Sequence, residues 1–359
     1  MRTEFGIYIL LLMMLSACTE RQMPEGESLS PIRLSVVADG EVTSRAYLYD
    51  GTDGMVAEKQ FALNAYLIDG SNTPYITNAW VYYEEGWRFR DETYQGKLLD
   101  YYWPNDHRVN FLAYMPYDWN KSVVNKNDLS FTNTGGVSFG CTLPGTTANN
   151  RTIDDTKDND REIKHEFVYA YRHDCQKGET DKDPVKLRFV HPFAAIKFEL
   201  MQSHRNLTVH SITLSGVHNS STYTHAEDTY DKYKENQNTL THAAWDMQGK
   251  TAGNVTVNYE KTVPTDINYY SLIGGPYLVI PQSLTGVTLT VKYSWDTVNQ
   301  GTSTPRNIAT AEITSWEPGM LYTYTLDLGD NKEEILFQAS VEAWTKGEDE
   351  GYENHIEVK

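Results

Sequence analysis

Gly136-Val137-Ser138-Phe139-Gly140 has the spacing of a nucleophile elbow, in which a strand turns sharply into a helix and lifts a serine hydroxyl out for attack on an acyl carbon. Cys141-Thr142-Leu143-Pro144-Gly145 follows it and cannot start a helix, so the match is expected to be accidental. Ten histidines are present, and none falls in a metal-ligand spacing. His165-Glu166 meets its next histidine only at His173, which misses the i, i+4 pair of a helical zinc site. His191 precedes Pro192 and reads as a hydrogen-bonded structural residue. Asp154, Asp155, Asp158 and Asp160 could gather around a hard cation such as Ca²⁺, but they lack regular ligand spacing and read more simply as a solvated acidic loop. No catalytic set and no cofactor motif emerges, and the chain is expected not to be an enzyme.

The thiol of Cys18 is a different matter. Arg2 supplies a thin basic start weakened by Glu4, an apolar run extends from Phe5 to Met14, and Leu15-Ser16-Ala17-Cys18 closes it. The run is too short to span a bilayer, which takes about 20 apolar residues, and it has the size of a secretory signal core. The small-small-Cys ending is similar to the bacterial lipobox, in which the cysteine sulfur receives a diacyl group carrying chains such as palmitate and becomes the new N-terminus. Residues 1–17 would then be a lipoprotein signal peptide and 18–45 a lipidated N-terminal segment. At about 0.8 kcal/mol per buried CH₂, two or three acyl chains hold a folded domain on a membrane. Thr19 after the cysteine fits delivery to the outer membrane. The plainer alternative is an ordinary signal peptide with an incidental cysteine.

Charge and composition narrow the rest. With 31 Lys and Arg against 49 Asp and Glu the formal net charge is −18, which argues against nucleic acid or an anionic membrane surface as partner. Tyr occurs 25 times, and Tyr, Val, Thr and Ile fill the patterned segments, which is strand composition. Apart from Cys18 the cysteines are Cys141 and Cys175, both in loop-like sequence. An oxidising compartment would permit a disulfide between them, but spacing does not establish the geometry.

Alternation of period two recurs along the whole chain: Ile32, Leu34 and Val36; Phe61 to Leu67; Val109, Phe111 and Ala113; Ile196 to Leu200; Val287, Leu289 and Val291; Tyr322 to Leu326; Ile335 to Val341. Residues 79–90 read as a hairpin turning at Glu85-Gly86. A single short helix is expected at 226–240. The chain reads as all-β, with two tandem β-sandwich domains, 46–184 and 185–359, divided at Asp181–Pro184. The polar stretch 118–160 reads as a long excursion from the first.

Several of these segments together resemble the fimbrillin family of Bacteroidetes surface lipoproteins: Leu34 to Ala46; Tyr102-Trp103-Pro104 with the strand at 109–116; 166–170 with 187–200; and 316–328 with 335–344. The resemblance implies two transthyretin-like sandwiches and a structural subunit of a surface pilus, or fimbrium, in cell adhesion. It also implies a trypsin-like protease cutting between Arg45 and Ala46, which releases the strand at Ile32–Ala38 and opens an apolar groove with two bare edges. A strand of the next subunit would fill it. The donor is expected near the C-terminus at Ile335–Trp344, with Ile335, Phe337, Ala339 and Val341 on one face, together with the tail His355–Lys359. The partners are then other pilus subunits, the protease and the outer membrane. The competing reading is a non-polymerising outer-membrane lipoprotein that binds glycans or anchors or caps a pilus. A coplanar exposed row made by Trp87, Tyr101, Tyr102, Trp103 and Trp119 would favour glycan, and their burial would favour the pilin.

The lipobox reading predicts that Cys18→Ser leaves the protein uncleaved at the signal or released from the membrane. Unchanged membrane retention and unchanged mass would refute it.

Overall fold

A computed structural model of the chain describes residues 30–37, 60–69, 73–91, 97–118, 122–131, 136–143, 150–154, 166–179, 184–200, 207–225, 243–263, 271–295, 299–327 and 336–343. Every regular element among them is a strand; the helix expected at 226–240 lies outside the described residues. The first strands are β1 (Leu34–Val37), β2 (Gln60–Leu67), β3 (Pro74–Tyr83), β4 (Trp87–Arg90), β5 (Leu98–Leu99) and β6 (Val109–Met115). The polar stretch contributes β7 (Val124–Phe131), β8 (Val137–Thr142) and β9 (Asn150–Asp154), followed by β10 (Val168–Cys175) and β11 (Val185–Val190). Then come β12 (Ala194–Leu200), β13 (Leu207–Val217), β14 (Ser220–His225), β15 (Ala243–Asp246), β16 (Gly253–Val263), β17 (Ser271–Val279) and β18 (Gln282–Ser283). The last are β19 (Thr288–Trp295), β20 (Asn299–Thr302), β21 (Arg306–Asn307), β22 (Ser315–Trp316), β23 (Met320–Asp327) and β24 (Leu336–Ala343).

The expected hairpin is present as β3 and β4, with Tyr83 opposite Trp87. Its turn carries positive φ at Glu85 (53°) and Gly86 (132°), a conformation that glycine adopts without a Cβ penalty.

One sheet runs β1-β11-β10-β6-β2-β3-β4-β5, and β1 also bridges β4 through Leu34 opposite Trp87. The sheet therefore curls until its two ends meet at β1. One face, carrying Phe61, Leu63, Val81, Phe89, Leu187 and Phe189, is fully or almost fully buried. A second sheet, β15-β14-β8-β7, supplies aromatics to the same apolar cluster. Phe139 of β8 and Tyr223 of β14 stack at 4.9 Å, and Phe139 meets Phe167 at 5.1 Å. The Tyr169 hydroxyl, inside this contact, bonds the Tyr223 hydroxyl at 2.8 Å and Nδ1 of His225 at 2.5 Å.

The stretch 118–160 is thus more than an excursion. Two of its strands build this sheet with β14 and β15, and its third, β9, pairs in parallel with β16. Only Val124, Leu129 and Phe131 of β7 are drawn inward while residues 125–128 are exposed, so the segment is polar and still a strand. Val137–Gly140 of the match lie within β8, where Ser138 pairs with Ser130 and Thr224, so the serine sits in a ladder rather than at a sharp turn. Cys141 and Cys175 are both buried and are not joined in a disulfide; they lie in β8 and at the end of β10, and each thiol donates to a main-chain carbonyl, of Val123 and His173 respectively, at 3.6 Å.

The sheets β17-β12-β23-β24 and β20-β19-β13-β16-β9 enclose a second apolar cluster. The strand β11, which the sequence boundary at 181–184 assigns to the second half, pairs with β1 and β10 in the first sheet. The chain crosses between clusters at Phe193–Ile196: Phe193 and Ala195 belong to the first, Ala194 and Ile196 to the second. Ala195, Leu278 and Leu321 stand in one row across β17, β12 and β23 and belong to the first cluster, while their neighbours Ile196, Tyr277 and Tyr322 belong to the second. That end of the sheet is buried on both faces and welds the two cores together.

At the crossing, His191 Nδ1 lies 2.9 Å from both carboxyl oxygens of Glu166, with the carboxylate side chain fully buried. Burial pushes the Glu166 carboxyl above its ordinary pKa, and the charge and hydrogen bond of His191 pull the other way. Removing one partner of such a pair strands the other without water, at a cost of about 3–5 kcal/mol, whereas replacing both costs far less. Chemical denaturation should therefore show His191→Leu losing more stability than Glu166→Leu/His191→Leu. Single losses of Glu166→Leu and His191→Leu that simply add in the double variant would mean the pair is not coupled.

Candidate strand-exchange site

The site is the seat of β1. The segment 30–37 alternates inward and outward: Ile32 (5% exposed) and Leu34 (8%) are buried and Val36 packs against the first cluster, while Pro31 and Arg33 face out. On one side β1 runs parallel to β11, Leu34 opposite Val185 through Val37 opposite Arg188. The Val185 N–H donates to the Arg33 carbonyl at 2.8 Å. On the other side Ile32 N–H donates to the Tyr101 carbonyl at 2.8 Å and Trp103 N–H to the Ser30 carbonyl at 3.0 Å, with Pro31 bridged to Tyr102 and Leu34 to Trp87. A strand at the start of the described chain is thus laddered on both edges, like the centre of a sheet.

Its removal would be costly. Fully burying an Ile, Leu or Val side chain contributes about 1.5–3 kcal/mol, so three such positions are comparable with the whole net stability of a domain, about 5–15 kcal/mol. Taking β1 away would also leave two unpaired edges, β11 on one side and residues 101–103 with Trp87 on the other.

The walls of this seat are the aromatics that sequence reasoning held out as a glycan platform. Trp87 packs on Phe61 at 5.0 Å and 52° and on Tyr83 at 5.2 Å and 64°. Tyr101 meets Phe89 at 4.8 Å and 69°, and Trp103, 4% exposed, meets Phe111 at 5.7 Å and 86°. Tyr102 accepts a hydrogen bond at its carbonyl from the Tyr75 hydroxyl. Trp103 is buried and Trp87, Tyr101 and Tyr102 are half-buried, so these aromatics do not stand as an exposed platform; Trp119 lies outside the described residues. Burial, and then the nearby charge of Asp91, raises the Tyr101 pKa, so its ring stays a neutral wall.

The other expected residues are placed only in part. Cys18, Arg45, Ala46, Ile335 and the tail His355–Lys359 lie outside the described residues. Phe337, Ala339 and Val341 belong to β24, opposite Leu326, Tyr324 and Tyr322 of β23. Ala339 is buried and Val341 packs against the second cluster, so the donor candidate lies in its own chain's sheet. Among the described strands β24 pairs with β23 alone. Beneath it, burial raises the Tyr322 pKa to about 12 and pushes Tyr324 higher still, which keeps both hydroxyls neutral. Asp154 is in β9, Asp155, Asp158, Asp160 and His165 lie outside the described residues, and the described residues contain no group of three or more acidic, His or Cys side chains arranged to hold a metal.

The sequence matches the fimbrillin-like family over residues 45–344, and the chain belongs to that family. Among curated proteins none matches it. A fimbrial protein from Bacteroides vulgatus has a similar fold, with TM-score 0.51 at 17% identity over 88% of this chain and 99% of that one. A candidate cell adhesion protein from Bacteroides ovatus is similar to the same degree, with TM-score 0.51 at 13% identity over 89% of this chain and all (100%) of that one.

A chain beginning at Ala46 should expose the seat. We expect it to bind a hydrophobic dye and to capture a synthetic peptide of residues 30–38, but not the same peptide carrying Leu34→Asp, since an unpaired carboxylate in an apolar slot costs several kcal/mol. Equal capture of both peptides would show that the inward positions do not define the seat.

Proposed function

We propose that this protein is a structural subunit of a bacterial surface pilus, assembled by exchanging β1 for a strand of a neighbouring subunit. The observation that carries the reading is the double-edged seat of β1, closed over Ile32 and Leu34. In this account the chain is made as two tandem transthyretin-like sandwiches, delivered to the outer membrane as a lipoprotein on Cys18, and cut between Arg45 and Ala46 by a trypsin-like protease. Hydrolysis of that one peptide bond frees the segment that contains β1. The seat then takes a donor from the C-terminal region of the next subunit.

The exchange would move the donor from one strand setting to another. Among the described strands β24 is hydrogen-bonded along one edge, to β23. In the vacated seat a donor strand would be hydrogen-bonded along both edges, and its alternate apolar residues would replace Ile32, Leu34 and Val36. The exchange would give up the β24–β23 ladder and the packing of Ala339 and Val341 for a seat bonded along both edges, once β1 has been cut away.

Arg45→Ala should therefore yield a stable monomer whose seat stays filled, whereas Phe337→Asp should be cut normally but fail to polymerise. Native gels and electron microscopy of both variants test this. Normal polymers from either would leave strand exchange without support.

A further inference from the structure

We infer that the outer face of the β7-β8-β14 sheet carries a binding groove for the terminal residue of a saccharide, separate from the β1 seat. The groove has a volume of about 320 Å³. Three features of the backbone build it. First, β7 bulges: Val124 lies opposite Cys141 and Leu129 opposite Phe139, so residues 125–128 stand against Gly140 alone. Such a bulge re-aims side chains and is a conserved kind of device beside binding sites. Second, the floor at that point is glycine in mid-strand, and a Cβ built on Gly140 would meet nothing within 4 Å. A glycine interior to a strand often marks a place where another molecule approaches closely. Third, Lys250 lines the groove from the turn after β15, a turn closed by Gln248 N–H on Asp246 Oδ1 at 2.8 Å and Lys250 N–H on the Met247 carbonyl at 3.1 Å.

The lining defines the ligand. Thr142, Ser220 and Thr222 contribute hydroxyls, the first two 3.0 Å apart and sharing a hydrogen bond. Asn125 and Asp128 line the bulged side. Each hydroxyl can donate once and accept twice, the carboxylate only accepts and the ammonium only donates. A ligand that satisfies this set presents many alternating donors and acceptors at short spacing, with no large apolar face and no multiple charge. A sugar residue is that ligand. A phosphate or nucleotide would meet one cation and one opposing carboxylate, and an apolar peptide side chain would find little beyond Val123 and Cys141 to pack on.

Gly140 gives a clean test, because its backbone is ordinary extended strand with open space above it, so a β-branched residue there fills the groove without straining the fold. The full-length protein should be titrated, by calorimetry and saturation-transfer NMR, with lactose, N-acetyllactosamine, mannotriose, maltotriose and 3′-sialyllactose. We expect at least one to bind, Gly140→Val to abolish that binding with an unchanged melting temperature, and Asp128→Asn to weaken it about tenfold, as loss of one hydrogen bond to a charged group does. Failure of all five sugars to bind at millimolar concentration would overturn the proposal, and so would binding that survives Gly140→Val in a folded variant. The pilus reading stands or falls separately, since neither variant touches the β1 seat.

Discussion

The parallel pairing of β1 with β11 is the constraint on which the first half of the molecule depends. Four register pairs join the start of the chain to residues 185–188, and the same strand reaches Trp87 and Tyr101–Trp103 on its far side. A curled sheet whose ends meet at one strand has no free edge there, and it acquires two the moment that strand leaves. Removal of β1 would open that closure at both of its edges, towards β11 and towards residues 101–103.

Continuity between the two halves is the second mechanical feature. The row Ala195, Leu278 and Leu321 sits in the first core while neighbouring residues on the same strands sit in the second. The sheet β15-β14-β8-β7 draws strands from residues 124–142 and 220–246, and β9 joins β16, so the polypeptide is stitched across the middle several times. A subunit that transmits tension along a fibre gains from such stitching, because pulling on one end loads several ladders in parallel rather than a single linker. The buried Glu166–His191 pair lies at the same crossing.

Much of the strand pattern was legible from alternation alone. The segments read from Phe61, Val109, Ile196, Tyr322 and Ile335 recur as β2, β6, β12, β23 and β24, and the Glu85-Gly86 turn lies where the hairpin signal put it. Local periodicity carries no information about partners, and the misreadings follow from that. Residues 124–131 are mostly exposed and residues 137–142 keep one face half-exposed, so they read as loop although they build a sheet. The strand β11 was assigned to the second half because nothing in Val185–Val190 announces a parallel pairing with residues 34–37. The roles of Trp87, Tyr101 and Trp103 depend on the curl of the sheet, which is equally non-local. Membership of the fimbrillin-like family agrees with the reading made from the combination of segments, each of which alone is only a strand signature.

Mass spectrometry of the N-terminus, on polymer extracted from the cell surface, tests the central claim most directly. Strand exchange requires polymerised subunits to begin at Ala46 and to lack residues 18–45. Polymers in which those residues, still joined to the rest of the chain, retain β1 would contradict the account.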